Sequence, residues 1–282
     1  NGEADWIVDN LATVASALRH DEPITPAVLH QWHGELMAHS PLDPEMIGAF
    51  RTSPGWIGGT SPLDAAFVPA PAPAVPALIK DLLAYANDDH HDAVTQAALV
   101  HAQFETIHPY GDGNGRLGRI LIGWLLRRRG VVQRLPPPIS VLIARDPGGY
   151  ISGLHLFREG PLDSWVQWFA GVCDASARHS IDMVNAITET LAIWAAEVSD
   201  LRADSAARRL IPLLPQVPVL TAAVAAGLLG VSEVSTRAAL TLLSERGIVE
   251  AVDLELDRAG VGRRPQHYAA MRLLDATAGW AG

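Results

Sequence analysis

A chain of 282 residues is long enough for one large domain with its own core and a smaller one after it. Its 49% hydrophobic content, rich in alanine and leucine, favours a folded helical protein over disorder, and a formal charge of −10 argues against a coat for nucleic acid or an anionic membrane. One cysteine, Cys173, rules out an intrachain disulfide and fits a reducing compartment; beside Phe169 and Val172 it reads as a small core residue.

Asn1 to Asp9 contains no basic start followed by an apolar run, so no secretory signal is read there. Trp6, Val8, Leu11, Val14, Ala15 and Leu18 recur at the helical period and predict a first helix. Pro26 starts a second, with Thr25 as N-cap and Val28, Leu29, Trp32, Leu36 and Met37 on its apolar face. Over 51–76, Gly55, Gly58, Gly59 and prolines at 62, 69, 71, 73 and 76 exclude a long helix. Trp56-Ile57 and Ala66-Phe67-Val68 are β-prone pieces that read as a small hairpin, with an irregular linker as the alternative. Apolar spacing resumes at Val75, Leu78, Ile79, Leu82 and Leu83. A helix over Ala93 to Ile107 then stops at His108-Pro109, because a residue before proline avoids the α region. The next helix runs from about Arg116 to Arg129, with Gly130 just past its end and Arg127 to Arg129 at its negative pole. A triproline at 136–138 precedes helices near 139–158 and 161–200.

The division into domains is placed at 1–205 and 206–282. In the second part, Leu210 to Val231 is apolar enough to suggest a membrane span, but Pro212, Pro215, Gln216 and Pro218 interrupt it, and it reads as soluble. Helices over Thr221 to Leu229 and Glu233 to Arg246 flank a turn at Gly230. They are followed by strand-like Ile248 to Leu256, a turn-rich tip at Asp257 to Pro265, and a return strand at Gln266 to Ala269. That order is a winged-helix pattern.

The most informative segment is 108–119, His-Pro-Tyr-Gly-Asp-Gly-Asn-Gly-Arg-Leu-Gly-Arg. Gly113 to Gly118 fits a dinucleotide fingerprint, but a helix precedes it where that fingerprint needs a strand. A phosphate-binding P-loop needs Gly-Lys-Ser/Thr, and a calcium loop would not place Arg116 at its third ligand position. What survives is a loop feeding a helix N-terminus. Unpaired backbone N–H groups and the helix dipole favour an anion there, and Gly113 and Gly115 let the backbone approach it. Arg116 and Arg119 share a helix face at that end and suit a polyphosphate. Asp112 suits Mg²⁺, which binds through few carboxylates plus substrate phosphates, and His108 suits a general base.

This segment resembles the Fic family hallmark H-P-F-x-D-G-N-G-R-x-x-R at every fixed position except the third, where Tyr110 replaces phenylalanine. The flanks His101 to Ile107 and Phe50 to Gly59 are similar to the family as well, and the resemblance covers roughly residues 20–200. It implies a mainly α fold, a Fic-type helical bundle with a small β-hairpin flap, followed here by a C-terminal winged-helix domain. It also implies protein adenylyltransferase activity: transfer of AMP from ATP to a Ser, Thr or Tyr hydroxyl. By the same resemblance His108 is the base, and Asp112 holds Mg²⁺ bridging the α and β phosphates. Gly113, Asn114 and Gly115 line the anion hole, while Arg116 and Arg119 hold the β and γ phosphates. The hairpin within 56–69 matches the family's flap, which clamps a target protein by strand addition. Tyr150 lies where members carry an aromatic near the base, but core packing is the preferred reading for it. Many members also carry an inhibitory helix with (Ser/Thr)-x-x-x-Glu-(Gly/Asn). None is found before Asp5 or just after the core; a fragment lacking it is the favoured reading of the start at Asn1, with a separate inhibitor protein or no inhibition as the alternatives.

Three rival readings stand beside this one. His101, Glu105 and His108, spaced i, i+4, i+7, would suit a metal-dependent hydrolase, but that leaves the glycines and arginines unexplained. AMP removal, or use of another nucleotide donor, would employ the same parts. The C-terminal module suggests a DNA-binding regulator through Arg237, Arg246 and the tip residues Arg258, Arg263 and Arg264. Glu233 and Glu245 offset these charges, so DNA ranks below dimerisation or docking. The expectation is a cytoplasmic, Mg²⁺- and ATP-dependent nucleotidyltransferase with no membrane partner, compatible with a homo-oligomer.

Overall fold

In a computed structural model, residues 2–253 and 265–278 are described, and they divide by contacts into units 1–177 and 178–282. At the centre of the first unit, α4 (Ala93–Ile107) packs along α5 (Asn114–Arg128). The α4–α5 contact is close because Gly118 has no side chain: a β-carbon there would collide with Glu105 Oε1 and lie 3.1 Å from His101 Nδ1. Around this pair stand α1 (Gly2–Leu18), α2 (Pro26–Leu36) and α3 (Val75–Asn87), with α6 (Ile139–Arg145), α7 (Pro147–Glu159) and the first part of α8 (Leu162–Glu197). Trp32, Phe104, Leu121, Trp124, Trp165 and Phe169 are buried together. The buried indoles are satisfied, Trp165 donating to the Ala98 carbonyl at 2.9 Å and Trp124 to that of His20 at 3.1 Å. Cys173 packs against this core, and burial pushes its thiol up to about 12.

α2 forms where expected, Thr25 accepting from the Val28 N–H. α1 forms too, but the first half of its apolar stripe faces outward: Trp6, Val8 and Leu11 are exposed, whereas Val14 packs on the core and Asp9, Thr13 and Ala17 are buried. Polar contacts fix that face. The Asp9 carboxylate accepts from the His39 N–H and Nδ1, and Trp6 Nε1 donates to the His39 carbonyl. The hairpin expected within 56–69 shrinks to one antiparallel bridge, Ile57 with Phe67. Gly58 and Gly59, at φ +71° and +72°, turn the chain out of strand geometry immediately after Ile57, and Pro69 has no N–H to continue the ladder.

The second unit takes Trp194 and Val198 from the far end of α8 into its core, together with Leu210 and Leu214. By contacts the chain divides within α8. α9 (Ala206–Leu210) is followed by β1 (Val219–Thr221), α10 (Ala222–Leu229), α11 (Glu233–Glu245), β2 (Glu250–Val252), β3 (His267–Ala269) and α12 (Met271–Ala278). The sheet is antiparallel in the order β1-β3-β2, with Leu220 opposite Tyr268 and Ala251 on the other side of it. Buried Thr236 on α11 donates to the Ala222 carbonyl of α10 at 2.8 Å. Arg246 makes a two-pronged pair with Asp200 at 2.6 and 2.8 Å, and Arg237 lies 3.6 Å from Glu233. Arg258, Arg263 and Arg264 lie outside the described residues. Among those described, no single helix is long and apolar enough to cross a membrane; α10 with α11 reaches that length only across a bend of 112°.

Candidate active site

Six residues, His108 to Gly113, join α4 to α5. Pro109 bars His108 from continuing the helix, so His108 turns left-handed at φ 51° while its N–H still closes on the Phe104 carbonyl. It is the one non-glycine with positive φ among the described residues, a conformation costing about 1–2 kcal/mol. Arg51 holds it. Its Nε donates to the His108 carbonyl at 2.7 Å, and Nη2 reaches the Ile107 carbonyl at 3.2 Å and that of Ala70. Nη1 reaches the Ser53 carbonyl at 3.0 Å, and the Arg51 N–H donates to Pro109 O at 2.9 Å. Sequence reasoning noted Arg51 only as a flank of the family pattern; a lone arginine gives no signal that it will cap distant carbonyls.

The rest of the loop is fixed from beneath. Tyr110 is buried, its ring stacked on His33 at 3.9 Å, and its hydroxyl meets His30 Nδ1 at 3.1 Å. The hydroxyl that distinguishes it from phenylalanine thus has a partner. His33 Nδ1 accepts from the Gly48 N–H at 2.8 Å, so its Nε2 carries the proton and donates to the Asp112 carbonyl at 3.1 Å. Burial lowers the His33 pKa, in keeping with that neutral form. Asn114, 2% exposed, accepts from the Tyr110 N–H and donates back to its carbonyl. Its side chain therefore shapes the loop, and only its main chain is available to a ligand.

Gly113, at φ 78°, starts α5; a β-carbon there would lie 2.9 Å from Met37 Sδ. No side chain caps α5, whereas α2, α4 and α7 are capped by Thr25, Asp92 and Asp146. The first N–H groups of α5 thus lack both helical and side-chain acceptors. Two cations stand at this end. Arg116 Nη2 lies 3.2 Å from Met37 Sδ and 3.6 Å from Asp112 Oδ2. Arg119 leans back over Gly115, with Nη1 3.2 Å from where a β-carbon would sit.

At the other end of the loop the His108 side chain is 21% exposed. Its Nδ1 is buried without a partner, which leaves Nε2 as the nitrogen able to meet a ligand. Burial pushes its pKa down to about 4; Arg51 and Arg158 act in the same direction, against the Glu105 main chain and Asp112. The ring is neutral at neutral pH and free to take a proton. Beneath it, burial raises Glu105 to about 7 and lowers His101 to about 4, with His101 Nε2 3.1 Å from the Tyr150 hydroxyl. Tyr150 is half-buried against the core.

Asp112 is largely exposed, with Oδ1 accepting from the Gly113 N–H at 2.6 Å and Oδ2 toward Arg116. No group of three or more His, Cys, Asp or Glu among the described residues could hold a metal ion, so His101, Glu105 and His108 do not make a ligand set. A lone outward carboxylate beside an uncapped helix N-terminus fits a cation that draws its remaining ligands from elsewhere, as Mg²⁺ commonly does.

Residues 23–126 match the model of the Fic/DOC family. The protein adenylyltransferase fic-1 of Caenorhabditis elegans is 26% identical over 175 residues, 61% of this chain and 31% of that protein. Protein adenylyltransferase Fic of Drosophila melanogaster is 30% identical over 151 residues, 52% of this chain and 27% of that one. The matched stretch therefore spans about a third or less of these curated relatives. Among solved structures, a Fic family protein from Desulfovibrio desulfuricans G20 has the same fold, with a TM-score of 0.56 at 20% identity over 95% of this chain and 75% of that chain.

Proposed function

We propose, from the match of residues 23–126 to the Fic/DOC family model, that this protein transfers the AMP part of ATP to a Ser, Thr or Tyr hydroxyl of a target protein. One observation carries the reading. A neutral imidazole with Nε2 open stands across a rigid six-residue loop from an uncapped helix N-terminus flanked by two arginines. The main-chain N–H groups of Gly113, Asn114 and Gly115 and the guanidinium groups of Arg116 and Arg119 would hold the triphosphate. Asp112 would hold Mg²⁺, whose chemistry is to neutralise charge on the phosphates. The acceptor oxygen bonds to the α phosphorus, the bond from that phosphorus to the bridging oxygen breaks, and pyrophosphate leaves. The hydroxyl proton passes to His108 Nε2. Bound phosphates also raise the low pKa of His108 toward the working range, since nearby negative charge favours imidazolium.

The target would dock at the flap. A cleft of about 370 Å³ opens beside it, lined by Phe67, Val68, Ala70, Thr106, Ile107 and Arg158. Leu63 at the flap tip is 99% exposed, and Trp56 and Val68 are about half exposed, an apolar edge suited to a peptide segment. DNA binding by the C-terminal module is the weaker reading, because Arg246 is occupied by Asp200. A reducing cytoplasm suits the single, half-buried thiol of Cys173.

Incubation of a candidate target with α-labelled and γ-labelled ATP in turn tests the proposal. Label retained from the α position only, and lost in His108→Asn, is the expected result. Retention from γ would mark a kinase-like use of the site, and release of AMP from a modified target would mark the reverse reaction.

A further inference from the structure

Three buried polar atoms at the α4–α5 contact have no hydrogen-bond partner: His101 Nδ1, Glu105 Oε1 and His108 Nδ1. Orphaned polar groups in a core are costly, so three in one place call for a cause. They lie on consecutive turns of α4. Glu105 Oε2 is 3.8 Å from His108 Nδ1, and the Glu105 side chain is 7% exposed. Gly118 is the residue that makes room for this carboxylate, because a β-carbon there would occupy its place. An apolar side chain would fill such a space at lower cost than a carboxylate.

We propose that Glu105 is a positioning residue for His108: its carboxylate accepts the Nδ1 proton and leaves Nε2 bare toward the acceptor hydroxyl. The inference rests on the transfer reading above and deepens it. The distance of 3.8 Å is long for a hydrogen bond, and such contacts tighten when the ring is used. When Nε2 takes the hydroxyl proton, the ring becomes imidazolium with Nδ1–H facing the Glu105 carboxyl, whose ionised form the new positive charge favours. The opposite tautomer would present Nε2–H to the hydroxyl and could not accept its proton. Other groups bear on the pair. Burial acts most strongly and opposes charge on both; Arg51 and Arg158 also oppose a charged His108 and Asp112 favours it, while Arg119 and Arg158 favour ionised Glu105 against that burial. The Glu105 main chain also favours the charged His108 ring. On the far side His101 Nε2 meets the Tyr150 hydroxyl.

The test uses the full chain labelled with ¹⁵N-histidine, with His108 identified by loss of its signals in His108→Asn. Ring nitrogen shifts report the tautomer whether or not transfer is observed. Wild type is expected as Nδ1–H with bare Nε2. Glu105→Met keeps volume but removes the acceptor, and should lose the tautomer bias and about 10²-fold in kcat while KM for ATP holds. Glu105→Gln, which keeps an acceptor oxygen, should recover part of both. A purely structural carboxylate predicts instead a Met variant of altered stability whose tautomer bias and kcat per folded molecule match wild type. An Nε2–H tautomer in wild type, or a bias unchanged in both variants, overturns the proposal. If Glu105→Met does not fold, the wild-type tautomer and Glu105→Gln still decide it. Absence of AMP transfer by wild type would sink the transfer reading and leave the tautomer result standing by itself.

Discussion

Replacing Arg51 by alanine should destabilise the molecule more than any other substitution in the flap region. The side chain donates to four main-chain carbonyls, those of Ser53, Ala70, Ile107 and His108, and the residue is 6% exposed. Hydrogen bonds from a charged group contribute about 1.5–3 kcal/mol each. Water can replace the donor at Ser53, which is exposed, and in part at Ala70; it cannot readily do so at Ile107, which is buried. Counting the Ile107 and His108 carbonyls alone gives about 3–6 kcal/mol. Burial disfavours the charged guanidinium, lowering its pKa, so its removal returns part of that and leaves about 2–4 kcal/mol. For a unit of this size each kcal/mol moves the melting midpoint by about 2–4 °C, so a fall of roughly 5–15 °C is expected. Transfer should fall further than the loss of folded protein explains, by about 10²-fold, because the left-handed turn that aims His108 would be released. Circular-dichroism melts and labelled-ATP transfer below the midpoint check both. Arg51→Lys, with one compact ammonium for several carbonyls, should lie between. A melting point within about 2 °C of wild type together with intact transfer would refute the reasoning.

Arg119→Ala should weaken binding of a non-hydrolysable ATP analogue by about tenfold or more, the equivalent of one charge-assisted hydrogen bond, and unchanged affinity in calorimetry would remove Arg119 from the phosphate site. Gly118→Ala should cost about 1–3 kcal/mol in denaturant titration despite alanine's better helix propensity, since its methyl meets Glu105, His101 and Phe104; a stabilised variant would contradict the close α4–α5 contact. Stability should climb between about pH 4.5 and 6.5 and stop climbing above that. His101 and His108, lowered to about 4, bind more protons unfolded than folded in that window, so their contribution is complete above 6.5 and lost as pH falls toward 4. Glu105, raised to about 7, works the other way: its contribution is present below its unfolded value of 4.5 and lost as pH rises through 7. Two groups outweigh one up to pH 6.5, and a melting point falling across 4.5–6.5 would show that one of these environments is misassigned.

Much of the helical frame was legible because its signals are local. Thr25-Pro26, Asp92 before Ala93, and His108-Pro109 mark helix ends through contacts within four residues. Three things were not legible, each settled by residues distant in sequence. The outward stripe of α1 was misread because Asp9 finds its partner thirty residues on, at His39. β1 was missed because a three-residue strand exists only through pairing with His267 to Ala269. In the loop, the motif names Asn114 among the ligand-lining positions, yet its amide is committed to Tyr110; spacing cannot separate a residue that touches a ligand from one that holds the backbone that does.

That tethered amide, with the His33–Tyr110 stack below it, has a consequence for how selectivity could arise. A receptacle moulded while the chain folds loses little ordering entropy when it captures a guest, and it is also indifferent to which guest arrives, since its backbone offers the same N–H groups to any oxyanion. On the proposed reading, discrimination among phosphates and among acceptors would fall to the guanidinium groups of Arg116, which rests 3.6 Å from Asp112, and Arg119 on one side, and to the single-bridge flap on the other.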